Sequence, residues 1–255
     1  MRHGQRIAVV IPALNEAQAI GHVLEALPDW LDHVVVADNG SADRTAKIAA
    51  DKGATVVREP RRGYGSACLA GVAGVPQPVD ILVFLDADFS DRPEQMNRLV
   101  DPIIDGRADL VIGARQPPAE GETGTTLQQR LGNALACFLI ARIWRHRYTD
   151  LGPFRAVRRS SYDALEMADR DYGWTIEMQI KALEGGLRVL EVPVCCRPRI
   201  GTSKISGTVT GVVRAGTKIL SVIAVFSFRR QFGMRKTRAP SRQTPGRLRN
   251  RHSQG

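Results

Sequence analysis

Cysteine is scarce in this chain: Cys68, Cys137, Cys195 and Cys196 are the only four in 255 residues, and none stands in a Cys-x-x-Cys spacing. That excludes a zinc ribbon or a disulfide scaffold and leaves buried thiols in a reducing compartment. Aromatics make up 5% of the residues, and no aromatic-rich or helix-turn-helix pattern accompanies the basic ones, which argues against nucleic acid as a partner. Long apolar runs are missing too. The ten residues Ile219 to Phe228 fall well short of the roughly 20 that a spanning helix needs. Met1 to Arg6 lead straight into a strand pattern with no signal-like apolar region, so a cytoplasmic location is expected.

Acid is absent from residues 229–255, which hold nine Arg or Lys and no Asp or Glu. The net charge of +10 belongs to this Pro/Ser/Gln-containing end, because the rest of the chain carries 27 basic against 26 acidic residues. The pattern predicts a folded unit over 1–228 and a basic, disordered tail over 229–255. Glycine is missing where a dinucleotide fold would need it. The turn after the first strand reads Pro12-Ala13-Leu14-Asn15-Glu16, and no Gly-rich Lys-Ser/Thr loop follows, so neither a Rossmann fingerprint nor a P-loop is present.

What is there is a series of short Val/Ile-rich runs, near 6–12, 33–38, 54–59, 80–86, 109–114, 150–157 and 188–196, with helical patterns between most of them. The alternation predicts an α/β fold, a mostly parallel sheet flanked by helices. Asn15-Glu16, Ser41 with Asp43, and Ser90-Asp91-Arg92-Pro93 read as helix starts, and 160–186 reads as one helix stopped by Gly185-Gly186. Three runs end in acids or amides: Asn15-Glu16, Asp38-Asn39 and Asp86-Ala87-Asp88. Parallel sheets bind ligands at their carboxyl edge, where clustered carboxylates make sense with a divalent cation and sugar hydroxyls between them. Asp169-Arg170-Asp171 repeats the acidic spacing without a strand before it and reads as chance.

In order, Val10-Ile11-Pro12-Ala13-Leu14-Asn15-Glu16, Asp38-Asn39-Gly40-Ser41-Ala42-Asp43, Arg62-Gly63-Tyr64-Gly65-Ser66-Ala67 and Asp86-Ala87-Asp88 resemble the signature of family 2 glycosyltransferases with the GT-A fold. Thr149-Asp150-Leu151-Gly152-Pro153-Phe154-Arg155, Tyr172 to Met178 and Arg199-Ile200-Gly201-Thr202-Ser203-Lys204 resemble the branch of dolichyl- and polyprenyl-phosphate mannose or glucose synthases. The resemblance implies inverting transfer of a sugar from a UDP- or GDP-sugar to a lipid phosphate. It also implies Mg²⁺ or Mn²⁺ on Asp86 and Asp88, and nucleotide-sugar contacts from Pro12, Leu14, Asn15, Glu16, Asp38, Gly63, Tyr64, Gly65, Asp86, Ala87 and Asp88. Phosphate or acceptor contacts fall on Arg115, Arg130, Asp150, Arg155, Arg199, Ser203 and Lys204, with Asp88, Glu177 and Arg130 in catalytic roles.

An acceptor phosphate needs no general base, whereas a soluble hydroxyl acceptor, the alternative, would need one. Glu177 is the candidate base; otherwise it is a helix carboxylate paired with Lys181. A third reading, a noncatalytic nucleic-acid binder gripping through the tail, leaves the strand-end acids unexplained. Residues 207–228 read as an amphipathic helix, lying either on an anionic membrane surface as a peripheral anchor at the cytoplasmic face or in the core.

Overall fold

The computed structural model describes residues 1–116, 127–201 and 209–232, with side chains described except at 127–129 and 209–215. Seven strands form one sheet: β1 (Ile7–Ala13), β2 (His33–Asp38), β3 (Thr55–Arg58), β4 (Ile81–Phe84), β5 (Leu110–Arg115), β6 (Arg155–Arg158) and β7 (Val189–Val194). Each lies within or overlaps a run read from the sequence. Their order is β3-β2-β1-β4-β6-β5-β7, and all pairings are parallel except those of β6, which runs antiparallel to β4 and β5. β6 starts only at Arg155, after the Gly152-Pro153 bend, so the run expected over 150–157 is half loop.

Strand side chains alternate between two apolar layers, as the two-residue period of a pleated strand requires. Ala8, Val10, Leu82, Phe84, Leu110 and Ile112 face a layer completed by α3 (Tyr64–Ala73), α5 (Leu127–Trp144), α6 (Arg159–Leu165), α7 (Trp174–Glu184) and α8 (Val209–Gln231). Ile7, Val9, Ile11, Ile81, Val83 and Val111 face α1 (Ile20–Glu25), α2 (Thr45–Asp51) and α4 (Met96–Ile104). Pro12 is tolerated inside β1 because it lies beyond Val10↔Phe84, the last pairing with β4.

Two helix readings change. The span read as one helix over 160–186 is two, α6 and α7, separated by a loop that begins with Glu166 at φ +47°. The first helix begins at Ile20 rather than at Asn15, which holds φ +53° in a turn of its own. The C-terminal helix extends to Gln231, so the expected boundary at 228 falls inside it, and residues 233–255 of the tail lie outside the described residues. Among the described residues no helix is long and apolar enough to cross a membrane.

β1 has β2 on one side and β4 on the other, so the connections leaving β1 and β4 diverge and open a crevice at their carboxyl ends. The acidic turns read from the sequence lie there.

Candidate active site

The turns after β1 and β2 are stitched to one another. Asn15 N–H donates to Ser41 Oγ (2.9 Å) while Asn15 Oδ1 accepts from Ala42 N–H (2.7 Å). Glu16 N–H donates to Thr45 Oγ1 (2.8 Å), and the buried Asp38 accepts from Ser41 N–H (3.1 Å). Asn39 extends the lattice: its amide donates to the Glu59 and Arg61 carbonyls and its oxygen accepts from Gly63 N–H. Pro12 is buried in the strand and Leu14 half-buried at its end.

The turn after β4 carries three acids. Asp86 Oδ1 accepts from the Tyr64 hydroxyl (3.1 Å), Asp88 Oδ1 caps Ser90 N–H (2.9 Å), and Asp91 is buried beside them, facing the Asp86 N–H. Asp86 retains some exposure, yet dense packing and then the charges of Asp88 and Asp91 push its pKa well above the carboxylate range. Asp91 rises to about 7, through burial first and the charge of Asp88 second. Acids held this close call for positive charge. Arg199 supplies part of it, with Nη2 2.8 Å from Asp88 Oδ2.

Arg199 belongs to a strap, residues 195–201, that follows β7. Arg197 N–H donates to the Ser90 carbonyl and Ile200 N–H to the Asp88 carbonyl, each at 2.9 Å. The Arg197 guanidinium stacks 3.8 Å above the Phe89 ring and pairs with Glu94. At Gly201 a Cβ would stand 4.0 Å from Glu16 Oε2, so the strap crosses from the β4 turn to the β1 turn. Glu16 and Asp88, far apart in sequence, thus border one crevice. Ser203 and Lys204 lie outside the described residues.

At the end of β5, Asp150 grips Arg115 with three bonds, to its N–H (3.0 Å), Nε (2.7 Å) and Nη2 (2.7 Å). Asp150, expected at the acceptor, is buried and committed to orienting Arg115. Glu191 steadies this loop by accepting from Thr149 and Asp150 N–H. Arg130 sits in the first turn of α5, one turn before Asn133, whose side chain bonds Thr149 O and Leu151 N–H, so this helix end adjoins the Arg115–Asp150 pair.

Three expectations need correcting. Arg155, read as a phosphate contact, is fully buried; its guanidinium donates to the carbonyls of Thr175, Leu151 and Gly152 and holds that turn from within. Gly63 and Gly65, expected as nucleotide-sugar contacts, make room for protein instead: a Cβ at Gly63 would overlap the Arg170 carbonyl oxygen and one at Gly65 the Asp169 carbonyl oxygen. Ser66 N–H donates to that Arg170 carbonyl (2.9 Å), which seats the start of α3 and aims Tyr64 at Asp86. Among the thiols, Cys68 and Cys137 are buried as expected, but Cys195 is exposed on the strap and Cys196 half-buried.

Glu177 stands apart from the acidic turn. Its carboxylate accepts from Ala168 N–H (3.1 Å) and Asp169 N–H (2.7 Å) and pairs with Lys181 Nζ (2.7 Å). The repeated Asp-x-Asp likewise has a folding role, because Asp169 pairs with Lys218 of α8 at 2.8 Å.

Among the described residues no three His, Cys, Asp or Glu side chains are arranged to hold a metal ion alone. Asp86 and Asp88 nevertheless suit a hard divalent cation of the Mg²⁺ type, which commonly takes one or two carboxylates and completes its shell with substrate phosphate oxygens and water. The mutual repulsion of Asp86, Asp88 and Asp91 is the charge defect such an ion would relieve.

Residues 8–165 match the family model described as glycosyl transferase family 2. The chain belongs to that family. The glycosyltransferase is 33% identical to a polyprenol monophosphomannose synthase of Mycolicibacterium smegmatis, over 82% of this chain and 84% of the synthase. It is 32% identical to an undecaprenyl-phosphate mannosyltransferase of Micrococcus luteus, over 81% of this chain and 90% of that one. Among solved structures it resembles glucosyl-3-phosphoglycerate synthase from Mycobacterium tuberculosis in complex with Mn²⁺, UDP and glucosyl-3-phosphoglycerate, with TM-score 0.70 and 25% identity over 92% of this chain and 82% of that one. The fold is GT-A and the chain is a hexosyltransferase.

Proposed function

We propose that the enzyme transfers a hexose, with inversion, from a UDP- or GDP-sugar to a polyprenyl phosphate. The observation that carries this reading is the pairing of acid with base at one sheet edge: Asp86, Asp88 and Asp91 on the β4 turn, with Arg199 on Asp88 and Arg115 locked by Asp150 beside Asp91. The nucleotide lies against the β1 and β2 turns, with Asp38 and the Asn15-Glu16 turn at its base and ribose. A divalent cation on Asp86 and Asp88, Mg²⁺ or Mn²⁺, would neutralise the donor diphosphate. As the sugar–phosphate bond breaks, negative charge grows on the departing nucleotide, and Arg199 is placed to meet it. Arg115 and Arg130 hold the acceptor phosphate, whose oxygen attacks the anomeric carbon from the opposite side. A phosphate acceptor is already an anion at neutral pH and needs no base. The full engagement of Glu177 supports this, as do the acceptors in the names of the two mannosyltransferases.

The helices α5 and α8 supply the membrane contact. Leu131, Leu135 and Phe138 on α5 are exposed, as are Leu220, Val225 and Phe228 along the second half of α8 and Phe232 just beyond it. Exposed apolar residues beside Arg229, Arg230 and the basic end suit a peripheral position on the anionic cytoplasmic face. A panel of UDP- and GDP-sugars with Mg²⁺ or Mn²⁺ and a short polyprenyl phosphate tests the proposal. Transfer giving the inverted glycosyl phosphate supports it. Turnover only with a soluble acceptor such as 3-phosphoglycerate, the second reading favoured by the structural neighbour, overturns it.

A further inference from the structure

A second concave surface lies away from the acidic crevice, and the transfer reaction does not use it. One face of α8 lines it: Lys218, Ser221, Val222, Val225, Phe226 and Arg229 recur at three- and four-residue intervals along a cavity of about 1120 Å³. Ala164 and Leu165 of α6 and Leu187 beyond α7 form the facing apolar wall. Two acids inside are already neutralised, Asp169 by Lys218 and Glu177 by Lys181.

The remaining charge is mostly cationic. Arg61, Arg62 and Arg170 line one end from two adjoining loops, joined where Gly65 N–H meets the Asp171 carbonyl (3.3 Å). All three are exposed, and none has an ion-pair partner among the described residues. Arg229 and Arg230 add charge from the last turn of α8, against Glu166, Asp171 and Glu184 as the further acids of the lining, the last of which already accepts from Trp144 Nε1.

A free phosphate would satisfy the guanidinium end and leave Val222, Val225 and Phe226 wet. A neutral lipid would cover the apolar wall and leave three arginines unmatched. Only an anionic amphiphile satisfies both, because guanidinium forks suit phosphate oxygens and the apolar strip suits an acyl chain. We propose that this groove binds an anionic phospholipid of the membrane surface, its phosphate at Arg61, Arg62 and Arg170 and its chain along α8. The site is separate from the acceptor position at Arg115 and Arg130 and goes beyond the transferase reading.

The test is calorimetry on the full chain with monomeric dihexanoyl phosphatidylglycerol, dihexanoyl phosphatidylcholine and glycerol 3-phosphate, alongside Mn²⁺–UDP and Mn²⁺–GDP binding. Phosphatidylglycerol is expected to bind at least about tenfold more tightly than either of the other two probes. Arg62→Glu/Arg170→Glu should remove that preference while circular dichroism stays native, and Val225→Ser, an exposed change, should weaken the phospholipid alone. Equal binding of the two lipids, glycerol 3-phosphate as tight as phosphatidylglycerol, or an undiminished preference in the folded double variant overturns the proposal. Failure of both nucleotides to bind would count against the transferase donor and leave the lipid comparison readable.

Discussion

The Tyr64 hydroxyl donates to Asp86 Oδ1 across 3.1 Å, from the first residue of α3 to the turn after β4. Burial, followed by the negative charge of Asp86, raises the phenol pKa well above its usual range, so Tyr64 stays a donor at working pH. Tyr64→Phe should therefore weaken Mn²⁺ binding about tenfold, the usual scale for losing a group that orients a metal ligand. Thermal stability should move by only a few degrees. Unchanged Mn²⁺ affinity by calorimetry would show that Asp86 does not depend on the phenol.

Asp91 makes stability depend on pH. Its ordinary pKa of 3.8 applies to the unfolded chain, whereas the folded chain holds the proton up to about 7. Between those values the native state binds more protons, so stability should fall as pH rises through the window and level off above it. Chemical unfolding from pH 4.5 to 8 should show this decline, and Asp91→Asn should flatten it. A wild-type profile that is already flat would refute the assignment.

Gly65→Ala places a methyl group on the Asp169 carbonyl, a backbone atom that cannot swing aside. The expected cost is about 1–3 kcal/mol, a loss of several degrees in Tm for a chain of this size. Calorimetry that finds wild-type Tm would mean the α6–α7 loop yields without cost.

Glu177→Gln removes the charge facing Lys181 but keeps the shape of the group that caps Ala168 and Asp169. With a polyprenyl-phosphate acceptor, kcat should stay within about threefold of wild type, because a general base would contribute 10²-fold or more. The loss should appear in Tm instead. A fall of two orders of magnitude in kcat, in a folded variant that binds donor, would return Glu177 to the role of base.

Asp88→Asn should abolish metal-dependent turnover while the strap stays in place, since Ile200 is tied to the Asp88 main chain. Near-wild-type turnover in a metal titration would place the cation elsewhere.

All seven strands were legible because Val/Ile runs ending in turn residues carry a local signal, and the convergence of their acidic ends follows from parallel topology. The direction of β6 was not legible, since nothing within Arg155–Arg158 records which neighbours it meets. Arg155 misled for a related reason. A guanidinium buried among carbonyls from Leu151, Gly152 and Thr175 reads in sequence like one awaiting phosphate. Asp91 was read as a helix start, although its place five residues after Asp86 puts it in the same turn. Gly63 and Gly65 misled in turn, because the backbone that approaches them comes from a loop a hundred residues away, beyond the reach of any local pattern.

The strap is fastened to the β4 turn largely through amide hydrogens of Arg197 and Ile200, and those are common to every residue but proline. The side chains of Arg197 and Arg199 add to that fastening through Glu94, Phe89 and Asp88, but the two amide bonds would survive their replacement. Proline at 197 or 200 is the substitution that evolution has reason to avoid there.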